Sequence, residues 1–198
     1  MKFLAFTDLH SDKDALKLLL KRASDDDIEF LICAGDFTNF GDNMGYILKQ
    51  LNSLKKFVYL IPGNHETDEE INAIIAKYPH CININRKAVK INDYVLLGYG
   101  EGGFSVKDDE FRKISREWYS KYQDDNIILV THGPPYGTGV DLVENNFTGN
   151  KDYRHFIERI KAKLVISGHI HETAGKVVTF NDIKYVNPGW EGMIIELD

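Results

Sequence analysis

Short apolar runs alternate with amphipathic segments through the first third of the chain. Lys2 to Thr7, Ile28 to Ala34 and Phe57 to Ile61 are runs of strand length in which apolar residues predominate. Between the first two, Asp14 to Arg22 places leucines among lysines at helical spacing, and a second helix is predicted through Leu51 to Leu54. This alternation of strands and helices predicts a parallel sheet with right-handed crossover connections.

The pattern changes after a third predicted helix, whose start is marked by a capping box. Thr67 is the expected N-cap, and Glu70 stands at the third helical position. From Cys81 onward the apolar runs are shorter, and an Asn-Asp pair between two of them is typical of a hairpin. Two sheets with helices on their outer sides fit this order best, which makes the chain an α/β protein. The later elements are predicted as a short run at Ile82 to Ile84, hairpin strands at Ala88 to Ile91 and Tyr94 to Tyr99, helices at Asp108 to Tyr122 and Tyr153 to Ile160, and strands at Ile127 to Thr131, Leu164 to Ser167, Val177 to Phe180, Ile183 to Val186 and Met193 to Leu197.

Three segments lack a periodic pattern and are predicted to be loops. Asn39 to Gly45 is polar and glycine-rich, and Gly100 to Gly103 predicts a flexible connection. The longest, Gly133 to Asn150, contains two prolines and four glycines and is expected to lie over the surface. With 198 residues and 43% apolar content, the chain can bury one substantial core, and we predict a single domain over residues 1–198.

Composition narrows the classes of partner and the cellular location. The formal net charge of −6 argues against a general nucleic-acid or anionic-membrane surface, because such binding depends on clustered lysines and arginines. With no signal peptide and no apolar run of about 18 residues, we expect a soluble cytoplasmic protein without a membrane partner. Cys33 and Cys81 lack metal-ligand spacing and are expected to be small buried hydrophobes. The oligomeric state is left open, a homodimer included.

Residues of the types that bind metals follow five of the predicted strands. In open α/β sheets, sites form beyond the carboxyl ends of the strands, so these five segments are expected to converge. They are Asp8-Leu9-His10, Gly35-Asp36, Gly63-Asn64-His65-Glu66, Thr131-His132-Gly133 and Gly168-His169-Ile170-His171. In the last segment, two imidazoles two residues apart in extended backbone would point the same way, which suits two neighbouring metals.

The mixture of donor atoms indicates which metals the site would take. Carboxylate, amide oxygen and imidazole together suit Mn²⁺, Fe or Zn²⁺, whereas a cysteine-rich set would select a soft or structural metal. Two metals about 3.5–4 Å apart can hold the attacking and departing oxygens of an in-line displacement at phosphorus. A carboxylate between two cations is their natural bridge, and we therefore predict a dinuclear metal centre.

This series of motifs resembles the calcineurin-like metallophosphoesterase family over nearly the whole chain. The matching motifs are Asp8-x-His10, Gly35-Asp36-x-x-Asn39, Gly63-Asn64-His65-Glu66, His132 and Gly168-His169-x-His171. The stretches Thr131 to Gly137 and Asn187 to Gly189 look like the compact, single-domain phosphoesterases of that family. The resemblance implies two mixed β-sheets packed as a sandwich and flanked by helices, in four αββα layers.

The resemblance also implies a role for each site residue. His65 would stay off the metals and either donate a proton to the leaving oxygen or steady the phosphoryl group. Two divalent ions are implied as cofactors, with Mn²⁺ expected and Fe, Zn²⁺, Ni²⁺ or Co²⁺ as alternatives. The implied ligands are Asp8, His10 and His171 for the first ion and Asn64, His132 and His169 for the second, with Asp36 as the bridge.

One departure from the family pattern bears on the mechanism. Three residues after the bridging aspartate, protein phosphatases of the family carry an Asp followed by Arg, and that Asp supports the catalytic histidine. Here the position holds Asn39, followed by Phe40. An amide can orient His65 but cannot stabilise its charged form as a carboxylate does. A protein phosphatase is therefore disfavoured.

The function implied is hydrolysis of a phosphodiester or phosphomonoester by attack of a metal-bound hydroxide. A small phosphodiester is favoured as substrate, since His65 can protonate a poor alkoxide leaving group. The alternatives are a nuclease of the same family and a non-catalytic metal-binding scaffold. The acidic charge disfavours the nuclease, and the presence of every ligand disfavours the scaffold.

Several residues near these motifs keep two interpretations. Glu66 is either a partner of the site or the start of a helix, and Asp141 supports either substrate or its own loop. His80 and His155 stand apart from the motifs and are expected to be surface residues. The aromatic residues that either line a substrate pocket or cap the core are Tyr136, Phe147 and Trp190.

Overall fold

The computed structural model describes residues 1–198 as thirteen strands and five α-helices. The helices are α1 (Lys13–Ala23), α2 (Met44–Ser53), α3 (Asp68–Ile75), α4 (Asp109–Tyr122) and α5 (Lys151–Ile160), with a short 3-10 turn at His171–Thr173. The strands are β1 (Lys2–Phe6), β2 (Phe30–Cys33), β3 (Phe57–Leu60), β4 (Cys81–Asn83), β5 (Lys87–Ile91), β6 (Tyr94–Tyr99), β7 (Asn126–Thr131), β8 (Leu142–Val143), β9 (Asn146–Phe147), β10 (Leu164–Ile166), β11 (Lys176–Phe180), β12 (Ile183–Asn187) and β13 (Met193–Glu196).

Two mixed sheets account for most of the strands. The first has the order β13-β1-β2-β3-β4. Its strands β1 to β4 are all parallel, as the early alternation of strands and helices predicts, and β13 joins antiparallel to β1. The second sheet has the order β11-β12-β10-β7-β6-β5, with parallel pairs at its centre and an antiparallel strand at each edge. The predicted hairpin is confirmed as β5 and β6.

The alternation of side chains along each strand separates three apolar layers. In β1, Phe3 and Ala5 pack between the two sheets, while Leu4 and Phe6 pack under α1 and α2. In β7, Ile128 likewise faces the space between the sheets, and its neighbours face α4 and α5. Burying one such side chain stabilises the fold by about 1.5–3 kcal/mol. The result is the helix–sheet–sheet–helix sandwich that the resemblance implied.

Helix α2 begins earlier than the sequence analysis predicts. The predicted loop is wrong at its last two residues, because α2 starts at Met44. The cause is visible in the spacing of Met44, Ile47, Leu48 and Leu51, which are all buried on one helical face. The capping box at the start of α3 is confirmed: the Glu70 backbone N–H donates to Thr67 Oγ1, and the Thr67 backbone N–H donates to the Glu70 carboxylate. None of the helices is long and apolar enough to cross a membrane.

Candidate metal centre

Loops at the carboxyl ends of five strands converge at one edge of the sandwich. The loop after β1 carries Asp8 and His10, and the loop after β2 carries Asp36. Because these strands are parallel, their ends lie side by side. The structure brings together all of the residues that the sequence analysis assigned to the site, the others being Asn64 and His65 after β3, His132 after β7, and His169 and His171 after β10.

Asp36 lies at the middle of the cluster and is almost fully buried. Its Oδ2 atom lies 3.4 Å from His132 Nε2, 3.8 Å from His65 Nε2 and 3.9 Å from His10 Nε2. Its other oxygen, Oδ1, accepts a hydrogen bond of 2.9 Å from the His65 backbone N–H. One carboxylate oxygen therefore faces three imidazoles, as a bridging ligand would.

Asp8 forms a second group with His10 and His171. Asp8 Oδ1 lies 3.9 Å from His10 Nε2 and 3.7 Å from His171 Nε2, and these two nitrogens are 3.3 Å apart. The His169 backbone N–H donates to Asp8 Oδ2 at 3.1 Å, which orients the carboxylate. These three side chains are the set that the resemblance assigned to the first ion.

His132 faces the cluster with a nitrogen lone pair. Its Nδ1 atom lies 2.9 Å from the Ala34 carbonyl oxygen, which can only accept, so Nδ1 carries the hydrogen. In the neutral ring, Nε2 then has no hydrogen, yet it faces Asp36 Oδ2 at 3.4 Å and Asn64 Oδ1 at 3.0 Å. Such a collection of electron-pair donors requires a proton or a metal cation among them.

His169 completes the set, although its backbone differs from the sequence prediction. Its φ of 67° is left-handed, so the prediction that the two histidines project together from extended backbone is wrong. The His169 ring lies 5.2 Å from the His132 ring, and its buried Nε2 atom has no hydrogen-bond partner. Burial and the neighbouring charge of His132 lower the pKa of His169 to about 4. The residue therefore offers a neutral imidazole with a free lone pair.

Asp36 and His132 each stabilise the charged form of the other. Burial alone would raise the pKa of Asp36, but the hydrogen bond and positive charge of His132 outweigh it and lower that pKa. Burial would likewise lower the pKa of His132, and the hydrogen bond and negative charge of Asp36 raise it instead. Without a metal, Asp36 and His132 form an ion pair. The proton on His132 then lies between the two side chains, where a metal cation could bind instead.

Strained backbone and two close glycines hold the site in shape. Asp8 and Asp36 have φ values of 54° and 49°, in the left-handed region that L-residues rarely adopt. A Cβ atom on Gly63 would lie 2.0 Å from Asp36 Oδ1, and one on Gly168 would lie 2.5 Å from Asp8 Oδ2. Only glycine lets these loops approach the carboxylates so closely.

Comparison with known proteins identifies the family. A sequence model of the calcineurin-like phosphoesterases matches residues 1–173. The chain belongs to this family. As a calcineurin-like phosphoesterase it is a hydrolase of phosphate esters.

The individual proteins that this calcineurin-like phosphoesterase resembles include three with sequence identities of 30%, 25% and 17%. An uncharacterized protein of Methanocaldococcus jannaschii is 30% identical, covering 87% of this chain and 81% of that protein. A probable glycerophosphodiester phosphodiesterase of Arcobacter nitrofigilis is 25% identical over 74% of this chain and 58% of its own length. The crystal structure of a Thermus thermophilus protein, TT1561, has the same fold, with a TM-score of 0.78 at 17% identity, covering 95% of this chain and 88% of that one.

Glu66 proves to be a support of the site in this calcineurin-like phosphoesterase. Its buried carboxylate accepts hydrogen bonds from the backbone N–H groups of Asp36, Thr38 and Gly63 and from the Thr38 hydroxyl. It therefore ties the loop after β2 to the loop after β3. Burial raises the pKa of Glu66, although these hydrogen bonds act in the opposite direction. The sequence feature that pointed to this role of Glu66 was its position directly after His65.

The neighbours of His65 differ from the expectation. Asn39, whose amide could have oriented His65, is exposed, and its side chain makes no hydrogen bond. Instead, the Phe40 ring stacks on His65, with centroids 4.1 Å apart and planes 21° from parallel. His65 Nδ1 has no hydrogen-bond partner. Aromatic contact, rather than a polar side chain, holds this imidazole.

The long segment after β7 is only partly a surface loop. Val140 and Asp141 are fully buried, which contradicts the prediction that the segment lies over the surface. The Asp141 carboxylate accepts from four backbone N–H groups of the segment, so it supports its own loop. The strands β8 and β9 form a small hairpin at its tip.

The remaining candidates lie outside the groups of ligand atoms. Tyr136 and Phe147 pack against each other at the rim of the long segment, and Trp190 is partly exposed. His155 is exposed, as predicted, whereas His80 is half-buried and contacts Asn52 Oδ1. Both cysteines are buried and unpaired, as the sequence analysis predicts.

Proposed function

We propose that this calcineurin-like phosphoesterase hydrolyses a small phosphodiester with the help of two divalent cations, and that residues 1–198 act as one domain. The Asp36 carboxylate carries the proposal, because its Oδ2 atom faces the imidazoles of His10, His65 and His132 at 3.4–3.9 Å. A carboxylate so placed can serve a cation on either side.

The residues fit two cations by their donor atoms. The unpartnered Nε2 atom of His169 and the lone pair of His132 that faces Asp36 are each suited to a metal ion. All the donors are imidazole, carboxylate or amide, a set suited to Mn²⁺, Fe or Zn²⁺. The proposed ligands are Asp8, His10 and His171 for one cation and Asn64, His132 and His169 for the other, with Asp36 shared between them.

The cations, when bound, would supply an activated water and positive charge for the phosphoryl oxygens. His65 is proposed as the proton donor to the leaving oxygen. Its backbone N–H is fixed by Asp36 Oδ1, its ring is packed by Phe40, and its Nε2 atom faces the centre of the cluster. This arrangement restricts the ring to the position in which it can meet an ester oxygen.

The charges around the site favour a diester over a monoester. Every ion pair of Asp8 and Asp36 is with a histidine, and no lysine or arginine takes part in the cluster. A monoester dianion would bring a second negative charge, for which the site offers no lysine or arginine beyond the proposed metal cations. The resemblance to a probable glycerophosphodiester phosphodiesterase points to the same class of substrate.

The test is hydrolysis by protein that has been stripped of metal and then reloaded. Chelator-treated protein should be inactive, and Mn²⁺ should restore cleavage of bis-p-nitrophenyl phosphate in preference to p-nitrophenyl phosphate. Metal analysis of the active form should give two ions per chain. Binding of no divalent metal, or full activity in the presence of excess chelator, would refute the proposal.

A further inference from the structure

Two exposed phenylalanines flank the candidate metal centre. Phe40 is 74% exposed, although one face of its ring is stacked on His65. Phe104 is 66% exposed, and its ring meets the His169 ring at 4.4 Å and an interplanar angle of 63°. Each ring therefore covers a histidine of the site on one side and presents apolar surface to solvent on the other.

The two phenylalanines lie at opposite ends of one chain of contacts through the site. From His65 the chain passes to Asp36 at 3.8 Å and on to His132 at 3.4 Å. The ring of His132 then contacts the ring of His169 at 5.2 Å. A phosphoryl group held at the middle of this chain would have an aromatic ring on either side.

The loop that carries Phe40 is braced in an unfavourable backbone conformation. Phe40 has a φ of 50°, a region that bulky residues rarely adopt. The Thr38 hydroxyl, which donates to Glu66 at 2.7 Å, also accepts from the Gly41 backbone N–H at 3.0 Å. Strain that is maintained by the surrounding hydrogen bonds is typical of ligand clamps. Phe40 and Gly41 are the central residues of a tight turn, which is closed by a hydrogen bond of 3.1 Å from the Asp42 backbone N–H to the Asn39 carbonyl. The turn presents the Phe40 ring to solvent.

The segment that carries Phe104 is anchored as well. The Asn150 side chain donates to the Ser105 carbonyl at 2.8 Å, and the Lys151 backbone N–H donates to the Val106 carbonyl at 2.9 Å. A Cβ atom on Gly102 would lie 2.6 Å from Tyr153 Oη, so the backbone passes close to the hydroxyl of that buried tyrosine. Phe104 is thus presented from a segment tied to the start of α5.

We propose that Phe40 and Phe104 determine specificity by each holding a planar aromatic group on one of the two ester oxygens of the substrate. The inference rests on the proposed function, since it assumes that a phosphoryl group occupies the centre of the cluster. The stack on His65 leaves the flat outer face of Phe40 open, and such a face favours another planar ring over an alkyl chain. Stacking of a base on an aromatic side chain typically changes affinity by about 5- to 100-fold.

Binding of phosphinates, which carry two groups on phosphorus, tests the proposal without hydrolysis. The dissociation constants of diphenyl-, dicyclohexyl- and dimethylphosphinate for the Mn²⁺-loaded protein would be measured by isothermal titration calorimetry. We expect diphenylphosphinate to bind about 25-fold more tightly than dimethylphosphinate, with dicyclohexylphosphinate close to dimethylphosphinate. Phe40→Ala and Phe104→Ala should each reduce the phenyl preference, which is the ratio of the diphenyl and dimethyl constants, about 5-fold.

Two further variants control for general effects of the substitutions. Phe57→Ala removes a half-exposed phenylalanine at the amino end of β3, away from the site, and should leave all three constants unchanged. Phe40→Trp retains an aromatic face and should keep the phenyl preference. Thermal unfolding checks that each variant folds, and Phe104→Ala tests the clamp independently if Phe40→Ala is unstable.

The outcomes separate this proposal from the proposed function. Equal binding of the phenyl and cyclohexyl compounds, or equal weakening of all three by both alanine variants, would overturn the aromatic clamp. Hydrolysis of diesters without any phenyl preference would remove the clamp and leave the proposed function standing. A phenyl preference lost in both variants, in a protein that hydrolyses no phosphate diester, would support the clamp and refute the proposed function.

Discussion

Asp36 is the residue shared by the proposed ligand sets. Asp36→Asn should remove at least one ion per chain and lower turnover at least about 100-fold, because a neutral amide cannot offset the charge of two dications. Metal analysis and the rate of diester cleavage measure the two effects. Asp26→Asn, an exposed carboxylate in the turn after α1, is the matched control and should change neither. Two retained ions with near-normal turnover would mean that another residue bridges.

His65 can be separated from the proposed ligands by its dependence on the leaving group. His65→Ala should retain both ions and slow hydrolysis by about 10²–10⁴-fold, the usual contribution of a general acid. The loss should be larger for an alkyl leaving group than for p-nitrophenolate, which departs without a proton. His169→Ala should instead lose metal and slow both substrates alike. If His65→Ala slows both substrates equally with its metals in place, the residue binds phosphate and is not the acid.

At the residue scale, the sequence could predict which residues form the site, but it could not predict which of their side chains contact one another. Asp8, Asp36 and the histidines were recognisable because ligand-type residues after parallel strands must meet. The stack of Phe40 on His65 could not be predicted, since an exposed phenylalanine after an asparagine carries no periodic signal. The same holds for the left-handed backbone of His169, which local sequence does not specify.

At the scale of elements, Glu66 links β2 and β3 through the loops that follow them. Glu66→Gln replaces one acceptor oxygen by an amide that would face backbone donors, leaving buried N–H groups unsatisfied. We expect the free energy of unfolding of the metal-free protein to fall by about 1–3 kcal/mol. Chemical denaturation measures this, with the exposed Glu69→Gln on α3 as control. Equal stability of the two variants would show that Glu66 is not a structural link.

The strands and helices themselves could largely be predicted from the pattern of apolar residues. The buried strands β1, β2, β3 and β7 were predicted because they are continuous apolar runs, which need no tertiary information. The burial of Asp141 was not predictable, because a carboxylate can be enclosed only where several backbone N–H groups turn toward it. Its loop supplies those donors only once it is folded.

At the scale of the whole molecule, the proposed cations should stabilise the fold. The site joins loops from both sheets, so ions that bind only the folded chain add about 4 kcal/mol at a 1,000-fold excess over Kd. Removing them should lower the Tm by about 10 °C, measured by thermal unfolding with chelator and with Mn²⁺. Asp36→Asn should show a much smaller difference. An unchanged Tm in the parent protein would contradict metal binding at this site.

The pairing of β1 with β13 has a consequence for biosynthesis. The Met1 amino group donates to the Leu197 carbonyl across a separation of 196 residues, and Lys2 pairs with Glu196. During translation β1 therefore emerges long before one of its two neighbouring strands exists. His169 and His171 also leave the ribosome late, so Asp8 and His10 are synthesised long before the two histidines that lie beside them in the folded site. We expect the nascent chain to acquire metal only after β10 and β13 have emerged and β13 has paired with β1.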